Sequence, residues 1–345
     1  MNEFVQNFAI ELGAVVLSAG LLAWAIFSIW RERMLAQADK QTIEGIRSKR
    51  FAKYTKAEDS YKNFREKLEK KNNGNTVIID LIHDLGDDFV GRDKAEQQIT
   101  FDEAFEAVAA IRGATPRTRI MVVLHTLGGY ARPAHMIALA LKQHLKKAKR
   151  HNPKSDPMVI AYVPYVAMSG GTMIALSADR ITMDATAALG PIDTIYGGFP
   201  SEAYEDLIER KGVEATQDVL VMLAHEAKKY EKYAATVARQ IINKAHKLPG
   251  DDPDRLANYL TSGRLSHSES ISPERADELG INISTRIPDE IYGLVDARIR
   301  MIQTKIEEEE RKGDGGKGGD NSDPDKPEAS LETMIARKLR VSPRL

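Results

Sequence analysis

One serine of this chain stands at a junction that could do chemistry. Ser169 lies where an apolar run gives way to small residues, in "VPYVAMSGGTMIALSADRI". A serine between a strand and a helix has the arrangement of a nucleophile elbow, whose tight turn needs small neighbours such as Ala167, Gly170 and Gly171. The N-terminus of the following helix would favour the negative charge that develops during acyl transfer. The same pattern also fits a plain helix N-cap, so the motif alone leaves both interpretations open.

A second glycine-rich strand end could supply the other half of such a site. In "HTLGGY", Gly128 and Gly129 would let the backbone turn sharply and expose amide groups that can hold an oxyanion. The alternatives are a plain turn or a phosphate cradle, but the spacings of the dinucleotide-binding and P-loop motifs are absent. His125 borders this loop as a core or shaping residue, and His83 and His135 are expected to be structural.

Ser169 would need a general base, and lysine is one option besides histidine. No histidine lies between Ser169 and His225. A lysine amine accepts a proton near neutral pH once burial lowers its pKa. On a helix predicted over residues 214–247, Lys228 borders the apolar face and Lys229 points nearly opposite to it. The lysine candidates are Lys211, Lys228, Lys229 and Lys232, and the apolar face holds Leu220, Leu223, Ala227, Tyr230, Ala234, Val237 and Ile241.

Strand and helix patterns alternate through the middle of the chain and would position these residues. Near-continuous apolar strands separated by helices predict a buried, largely parallel sheet in an α/β domain. Thr100, with Glu103 three residues later, predicts a capping box at the start of one helix. The predicted strands are 76–84, 119–129, 157–168 and 180–185, and the predicted helices are 100–114, 131–149, 169–179 and 214–247.

Composition excludes several classes of protein. The 345 residues carry 49 Lys and Arg against 50 Asp and Glu, so no global basic field would attract nucleic acid. Cysteine is absent, which excludes disulfides, thiolate metal sites and cysteine nucleophiles. The histidines are scattered and no H-E-x-x-H motif occurs, so we expect neither a metal nor another cofactor.

An uncharged apolar run near the N-terminus predicts a membrane anchor. Residues 12–30, "LGAVVLSAGLLAWAIFSIW", approach the ~20 residues that cross a bilayer as a helix. A cleaved signal peptide and a buried helix are the alternatives, but the leader is acidic and "RERM" follows the run directly. Arginines and lysines follow the run, which by the positive-inside rule predicts a single-pass membrane protein with its main domain in the cytoplasm.

Three stretches resemble the serine dehydrogenase proteinase family, which is related to signal peptide peptidase A, and the resemblance covers roughly residues 76–285. They are "LHTLGGYARPAHMIALAL", "YVPYVAMSGGTMIALSADRITMDATAALGPID" and "LTSGRLSHSESISPERADELGINI". The resemblance implies a Clp-protease/crotonase-like fold with repeated βα units. It also implies a homo-oligomer shaped as a ring or bowl, and polypeptide substrates that include membrane-associated segments. No ATPase motif is visible, so we expect cleavage to be independent of ATP.

The resemblance also assigns roles to particular residues. It implies that Ser169 is the nucleophile, that the amides of Gly129 and Gly170 form the oxyanion hole, and that Lys229 is the base. The helical wheel favours Lys228 instead, so both lysines stay candidates. The family usually has proline before the two glycines, where this chain has Leu127, and this difference could change the rigidity of the loop.

The combined expectation is a membrane-anchored serine peptidase in four segments. These are a membrane anchor over residues 1–30, a charged helical spacer over 31–74, a Clp-protease/crotonase-like peptidase domain over 75–300, and a charged, partly disordered tail over 301–345. Two alternatives stay open. One is a crotonase-type acyl-CoA enzyme, whose two amides would bind a thioester oxygen, and the other is a catalytically silent membrane scaffold of the same fold.

Overall fold

The computed structural model describes residues 52–85, 97–152, 158–192, 195–196, 199–263, 265 and 269–314, together with the isolated positions 31, 34, 37, 45 and 49. The chain divides into two compact units, residues 1–56 and 57–345. The predicted anchor at 12–30, and residues 315–345 of the predicted tail, lie outside the described residues. Where the chain is described, no helix is both long enough and apolar enough to span a bilayer.

Strands and helices alternate through the second unit. The described strands are β1 (Thr76–Ile82), β2 (Arg119–His125), β3 (Val159–Val163), β4 (Val166–Ala167), β5 (Arg180–Met183), β6 (Ala188–Leu189), β7 (Ile195–Tyr196), β8 (Phe199–Pro200) and β9 (Ile283–Ser284). The described helices are α1 (52–69), α2 (Phe101–Gly113), α3 (Ala131–His151), α4 (Gly170–Leu176), α5 (Ser201–Lys211), α6 (Asp218–Ile241), α7 (Pro253–Thr261), α8 (Pro273–Glu278) and α9 (Asp289–Asp314).

A five-stranded sheet forms the centre of this unit. Its strand order is β1-β2-β3-β5-β9, and every neighbouring pair is parallel. Helices α2, α3 and α4 pack on one face, and α9 packs on the other together with α1 from residue 57 onwards. The predicted buried parallel sheet of an α/β domain is therefore confirmed. In such sheets, sites form outside the carboxyl ends of the strands.

The third predicted strand, 157–168, is wrong as a single element, because the chain changes sheet within it. β3 leaves the main ladder at Val163, and Pro164 follows, which has no N–H to donate to a continued ladder. β4 then pairs with β6 in a separate two-stranded sheet, and Ala167 forms a bridge with Thr126. This pairing places the start of α4 beside the end of β2.

The long amphipathic helix predicted over 214–247 is shorter than expected. α6 runs from Asp218 to Ile241, and α5, which the sequence did not predict, precedes it. Ala227 packs against α5, whereas Val237 and Ile241 pack into the main core. Tyr230 lies between these two contacts and is exposed, although its position in the predicted apolar face indicated burial.

Candidate active site

Ser169 stands at the start of α4 in an unusual backbone conformation. Its φ of 48° and ψ of −112° make it the only non-glycine residue with a positive φ in the described part of the chain. Conformations of this kind cost about 1–3 kcal/mol and are concentrated at functional sites. The Ser169 side chain makes no capping hydrogen bond to α4, which removes the main support for a plain N-cap role.

The two glycine-rich loops meet at this serine. A methyl group added to Gly128 would lie 2.8 Å from Cβ of Ser169 and 3.1 Å from the amide nitrogen of Gly170. The pairing of β4 with Thr126 explains the contact, because it holds the residues before Ser169 against the end of β2. Leu127, which stands where the family has proline, is exposed.

Two backbone amides beside Ser169 are free to donate. Within the part of the chain that the structure describes, the amides of Gly129 and Gly170 form no hydrogen bond. A methyl group added to Gly170 would lie 3.7 Å from the nitrogen of Gly129, so the two amides are close neighbours. Donors of this kind stabilise the oxyanion of acyl transfer when it lies about 2.7–3.1 Å from them.

Lys228 and Lys229 lie on the exposed surface of α6, each in an ion pair. The Lys228 ammonium lies 2.7 Å from Glu205 of α5, and this hydrogen bond raises the pKa of Lys228. The Lys229 ammonium lies 2.6 Å from Glu226 on its own helix. Neither ammonium group hydrogen-bonds to Ser169. In this conformation the serine and the glycines therefore lie together, whereas the ammonium groups of Lys228 and Lys229 bond to Glu205 and Glu226.

One face of α6 contacts the start of α3, which follows the glycine loop. The Tyr233 hydroxyl lies 3.2 Å from Nδ1 of His135 and 3.4 Å from Arg132, both near the start of α3. α3 begins two residues after Gly129. Lys229 lies four residues before Tyr233, which places the two side chains on the same face of α6.

His83, which was expected to be only structural, contacts the base of the glycine loop. It is 2% exposed, and its Nδ1 lies 2.7 Å from Oγ1 of Thr126, while its Nε2 lies 3.2 Å from Glu103. The sequence held a signal for this contact. His83 follows β1 and Thr126 follows β2, and neighbouring parallel strands end at the same edge of a sheet.

His125 lies half-buried beside the same loop. Burial, and after it the neighbouring His83, lowers the pKa of His125 to about 4. Its ring packs edge-on against Tyr165, with 5.3 Å between the ring centres, and its buried Nδ1 has no hydrogen-bond partner among the described residues. A neutral imidazole in this position agrees with the predicted core or shaping role.

The residues around the loop define what the site can do. In the described ranges, no cluster of His, Asp and Glu side chains is arranged to hold a metal ion. The site consists of the Ser169 hydroxyl and the two backbone amides of Gly129 and Gly170 next to it. This arrangement can attack a carbonyl carbon and hold the resulting oxyanion, and it still needs a group that accepts the serine proton.

Comparison with known proteins relates this chain to a family of peptidases. The family model of the ClpP-like SDH-type serine proteinases matches residues 50–307. Two uncharacterized proteins of Methanocaldococcus jannaschii are also similar. One is 34% identical over 228 residues, which cover 66% of this chain and 75% of that protein. The other is 33% identical over 199 residues, which cover 57% of this chain and 63% of that protein.

Two solved structures of a 1510-N membrane-bound stomatin-specific protease are more distant matches. A lysine-to-alanine mutant in complex with a substrate peptide has a TM-score of 0.34 at 21% identity, over 56% of this chain and 74% of that chain. A serine-to-alanine mutant has a TM-score of 0.33 at 19% identity, over 57% of this chain and 79% of that chain. Because the family model matches the chain from α1 to α9, this protein belongs to the ClpP-like SDH-type serine proteinase family.

Proposed function

We propose that this chain is a membrane-anchored, ATP-independent serine peptidase with a Ser-Lys dyad. The observation that carries the proposal is Ser169 itself. Its backbone is strained, its side chain makes no capping hydrogen bond, and the neighbouring amides of Gly129 and Gly170 have no partner among the described residues. Membership of a serine proteinase family supports the same chemistry. Substrates are polypeptides, including membrane-associated segments, and the working form is a homo-oligomer.

The proposed reaction has two stages. A neutral lysine amine removes the proton from the Ser169 hydroxyl, and the oxygen attacks the peptide carbonyl carbon. The amides of Gly129 and Gly170 donate to the resulting oxyanion. The lysine then gives its proton to the leaving amine, and an acyl-serine remains. A water molecule, deprotonated by the same lysine, then attacks the acyl carbon. The bond from this carbon to Ser169 breaks, the acid leaves, and the lysine returns its proton to the serine oxygen.

Lys229 is the first choice for the base and Lys228 the second. Lys229 shares a face of α6 with Tyr233, which contacts the start of α3 close to the glycine loop. Its ion pair with Glu226 is exposed, and exposed pairs add little to stability, so the ammonium can leave it readily. The pair between Lys228 and Glu205 is exposed as well, but it links Lys228 to α5 and not to α3.

Labelling with a fluorophosphonate probe tests the nucleophile in the purified full-length protein. We expect stoichiometric labelling of the wild type at Ser169 and none of Ser169→Ala. The matched control is Ser177→Ala, because Ser177 lies at the other end of α4 and donates to the carbonyl of Ile174. This control should keep its labelling. A Ser169→Ala protein that still hydrolyses peptides at the wild-type rate would end the proposed mechanism.

Replacing each lysine in turn identifies the base. We expect Lys229→Ala to lose at least about a hundredfold in kcat, within the ~10²–10⁴-fold range of general-base catalysis, while Lys228→Ala keeps most of its activity. Wild-type kcat should rise with pH, because only the neutral amine accepts a proton. The reverse ranking of the two variants would make Lys228 the base, and full activity in both would exclude the dyad.

A further inference from the structure

The imidazole of His83 links the start of α2 to the base of the glycine loop. Its Nε2 lies 3.2 Å from one Glu103 oxygen and 3.4 Å from the other, and its Nδ1 lies 2.7 Å from Oγ1 of Thr126. Thr126 is fully buried, and its Oγ1 lies 3.0 Å from the amide nitrogen of Gly128. A continuous hydrogen-bonded chain therefore runs from a carboxylate to a glycine of the candidate oxyanion loop.

The carboxylate of Glu103 determines which nitrogen of His83 donates. A carboxylate only accepts, so Nε2–H of His83 donates to Glu103. In the tautomer with its proton on Nε2, Nδ1 is an acceptor. The Thr126 hydroxyl then donates to Nδ1, and its oxygen accepts from the amide of Gly128. The carbonyl of Gly128 is a second acceptor within reach of this hydroxyl, at 3.3 Å, but the contact with Nδ1 is the shorter of the two.

The opposite side of the loop is held from the same helix start. The carbonyl of Gly128 accepts from the amide of Ile99 at 2.8 Å. Ile99 precedes the capping box of α2, in which Glu103 accepts from the backbone amide of Thr100 at 3.0 Å, as the sequence predicted. Glu103 is therefore common to both supports, through His83 on one side and through Thr100 on the other.

These supports determine the direction of one particular amide. A peptide unit is planar and trans, so its N–H points opposite to its C=O. The carbonyl of Gly128 is directed at Ile99, and the amide of Gly129 in the same peptide unit is therefore directed away from Ile99. This is the amide that we assign to the oxyanion. A rotation of the Gly128–Gly129 peptide would remove it from the site, and glycine at both positions offers little resistance to rotation.

We propose that His83 is a positioning residue, which holds the Gly128–Gly129 peptide in the orientation that forms the oxyanion hole. Glu103 orients the imidazole of His83, and Thr126 links that imidazole to the loop. The inference rests on the proposed function, since the orientation of this amide matters only if Ser169 forms a tetrahedral intermediate. His83 itself need not touch the substrate.

The test compares three variants of the full-length protein. His83→Ala removes both bonds of the imidazole. His83→Asn keeps an acceptor close to the position of Nδ1, so it can still accept from Thr126. His144→Ala is the matched control, because His144 is also 2% exposed and also bonded, through Nε2 to the carbonyl of Thr118 at 2.9 Å, at the opposite end of β2.

We expect His83→Ala to lower kcat and the rate of fluorophosphonate labelling by about ten- to a hundredfold, somewhat less than deletion of one oxyanion donor, with KM unchanged. His83→Asn should recover most of this loss, and His144→Ala should keep wild-type kcat. A structural role alone would lower the amount of active protein in both alanine variants alike. Wild-type kcat in His83→Ala, or no recovery in His83→Asn, would overturn the inference.

Hydrogen exchange separates this inference from the proposed function. Amide exchange over residues 126–130, followed by mass spectrometry, reports the order of the loop without any need for activity. It should speed up at least about tenfold in His83→Ala and remain at the wild-type rate in His144→Ala. A wild type that is not labelled at Ser169 would refute the peptidase, whereas unchanged exchange in His83→Ala would refute the positioning role.

Discussion

Ser169, the proposed nucleophile, has a backbone conformation that is unfavourable for a residue with a side chain. A residue with a Cβ is strained at a φ of 48° and a ψ of −112°, whereas glycine adopts this region freely. The chain nevertheless has serine at this position. Because the side chain does not cap α4, the strain has no structural compensation at this residue. The nucleophilic role that we propose for the hydroxyl would account for it.

Comparison of Ser169→Gly with Ser169→Ala separates the strain from the chemistry. Both variants should lose labelling and hydrolysis. Ser169→Gly should have a free energy of unfolding about 1 kcal/mol higher than that of Ser169→Ala, because glycine relieves the strained φ and alanine does not. Chemical denaturation of the two variants measures the difference. Equal stability would show that the position is not strained.

His125 should make stability depend on pH in the acid range. Its pKa is lowered to about 4 in the folded protein, chiefly by burial, from the ordinary value of 6.5. As the pH falls below 6.5, the unfolded chain binds a proton at this residue and the folded protein does not, so stability falls until about pH 4. At 1.36 kcal/mol per pKa unit, the loss is on the order of 3 kcal/mol.

His125→Phe tests this prediction, since phenylalanine retains a ring against Tyr165 and cannot titrate. Unfolding free energies at pH 7 and pH 4.5 should differ less in the variant than in the wild type, by about 2–3 kcal/mol. An equal difference in the two proteins would show that other groups cause the acid sensitivity.

At the scale of the elements, α1 is attached to the sheet by a polar cluster as well as by apolar contacts. Arg65 forms an ion pair with Asp80 of β1 and donates to the carbonyl of Ile78 at 2.8 Å. The Tyr61 hydroxyl donates to Asp80 at 2.6 Å, and burial together with the Asp80 charge raises the pKa of Tyr61 to about 12. The Asp80 side chain is 9% exposed, so its charge depends on these partners.

Asp80→Asn should therefore destabilise the domain by about 2–3 kcal/mol, near the lower limit for breaking a buried pair, because Arg65 retains partial access to water. The matched control is Glu69→Gln, which removes an exposed partner of the same arginine and should cost less than about 1 kcal/mol. Thermal unfolding of both variants measures the contrast. Equal losses would show that the buried charge has no special importance.

At the scale of the whole molecule, the membrane anchor is a prediction from the sequence. Residues 12–30 carry no charge, and basic residues follow them. We expect the full-length protein to remain in the membrane fraction after an alkaline carbonate wash, because a spanning helix is held by apolar burial and not by surface charge. In inside-out vesicles, added protease should digest the main domain.

Two results would contradict this prediction. Release of the full-length protein by the carbonate wash would exclude a spanning anchor. Protection of the main domain in inside-out vesicles would reverse the predicted topology and place that domain on the far side of the membrane.

Much of this protein is determined by local sequence. The capping box of Thr100 and Glu103 acts over three residues, and it forms as predicted. The apolar runs of the buried strands and the small residues after Ser169 also act over short distances. For these reasons the amino-acid sequence by itself predicts the α/β class, most element positions and the strand–serine–helix junction.

The tertiary structure decided which of these pieces meet. Gly128 contacts Ser169 because the chain leaves the main sheet after Val163 and β4 then pairs with Thr126, which no local pattern specifies. His83 reaches Thr126 because β1 and β2 are neighbours. Contacts of this kind depend on the order of strands in the sheet. That order is set by the packing of the whole core and by loop closure over long separations, so a window of sequence around each residue does not contain it.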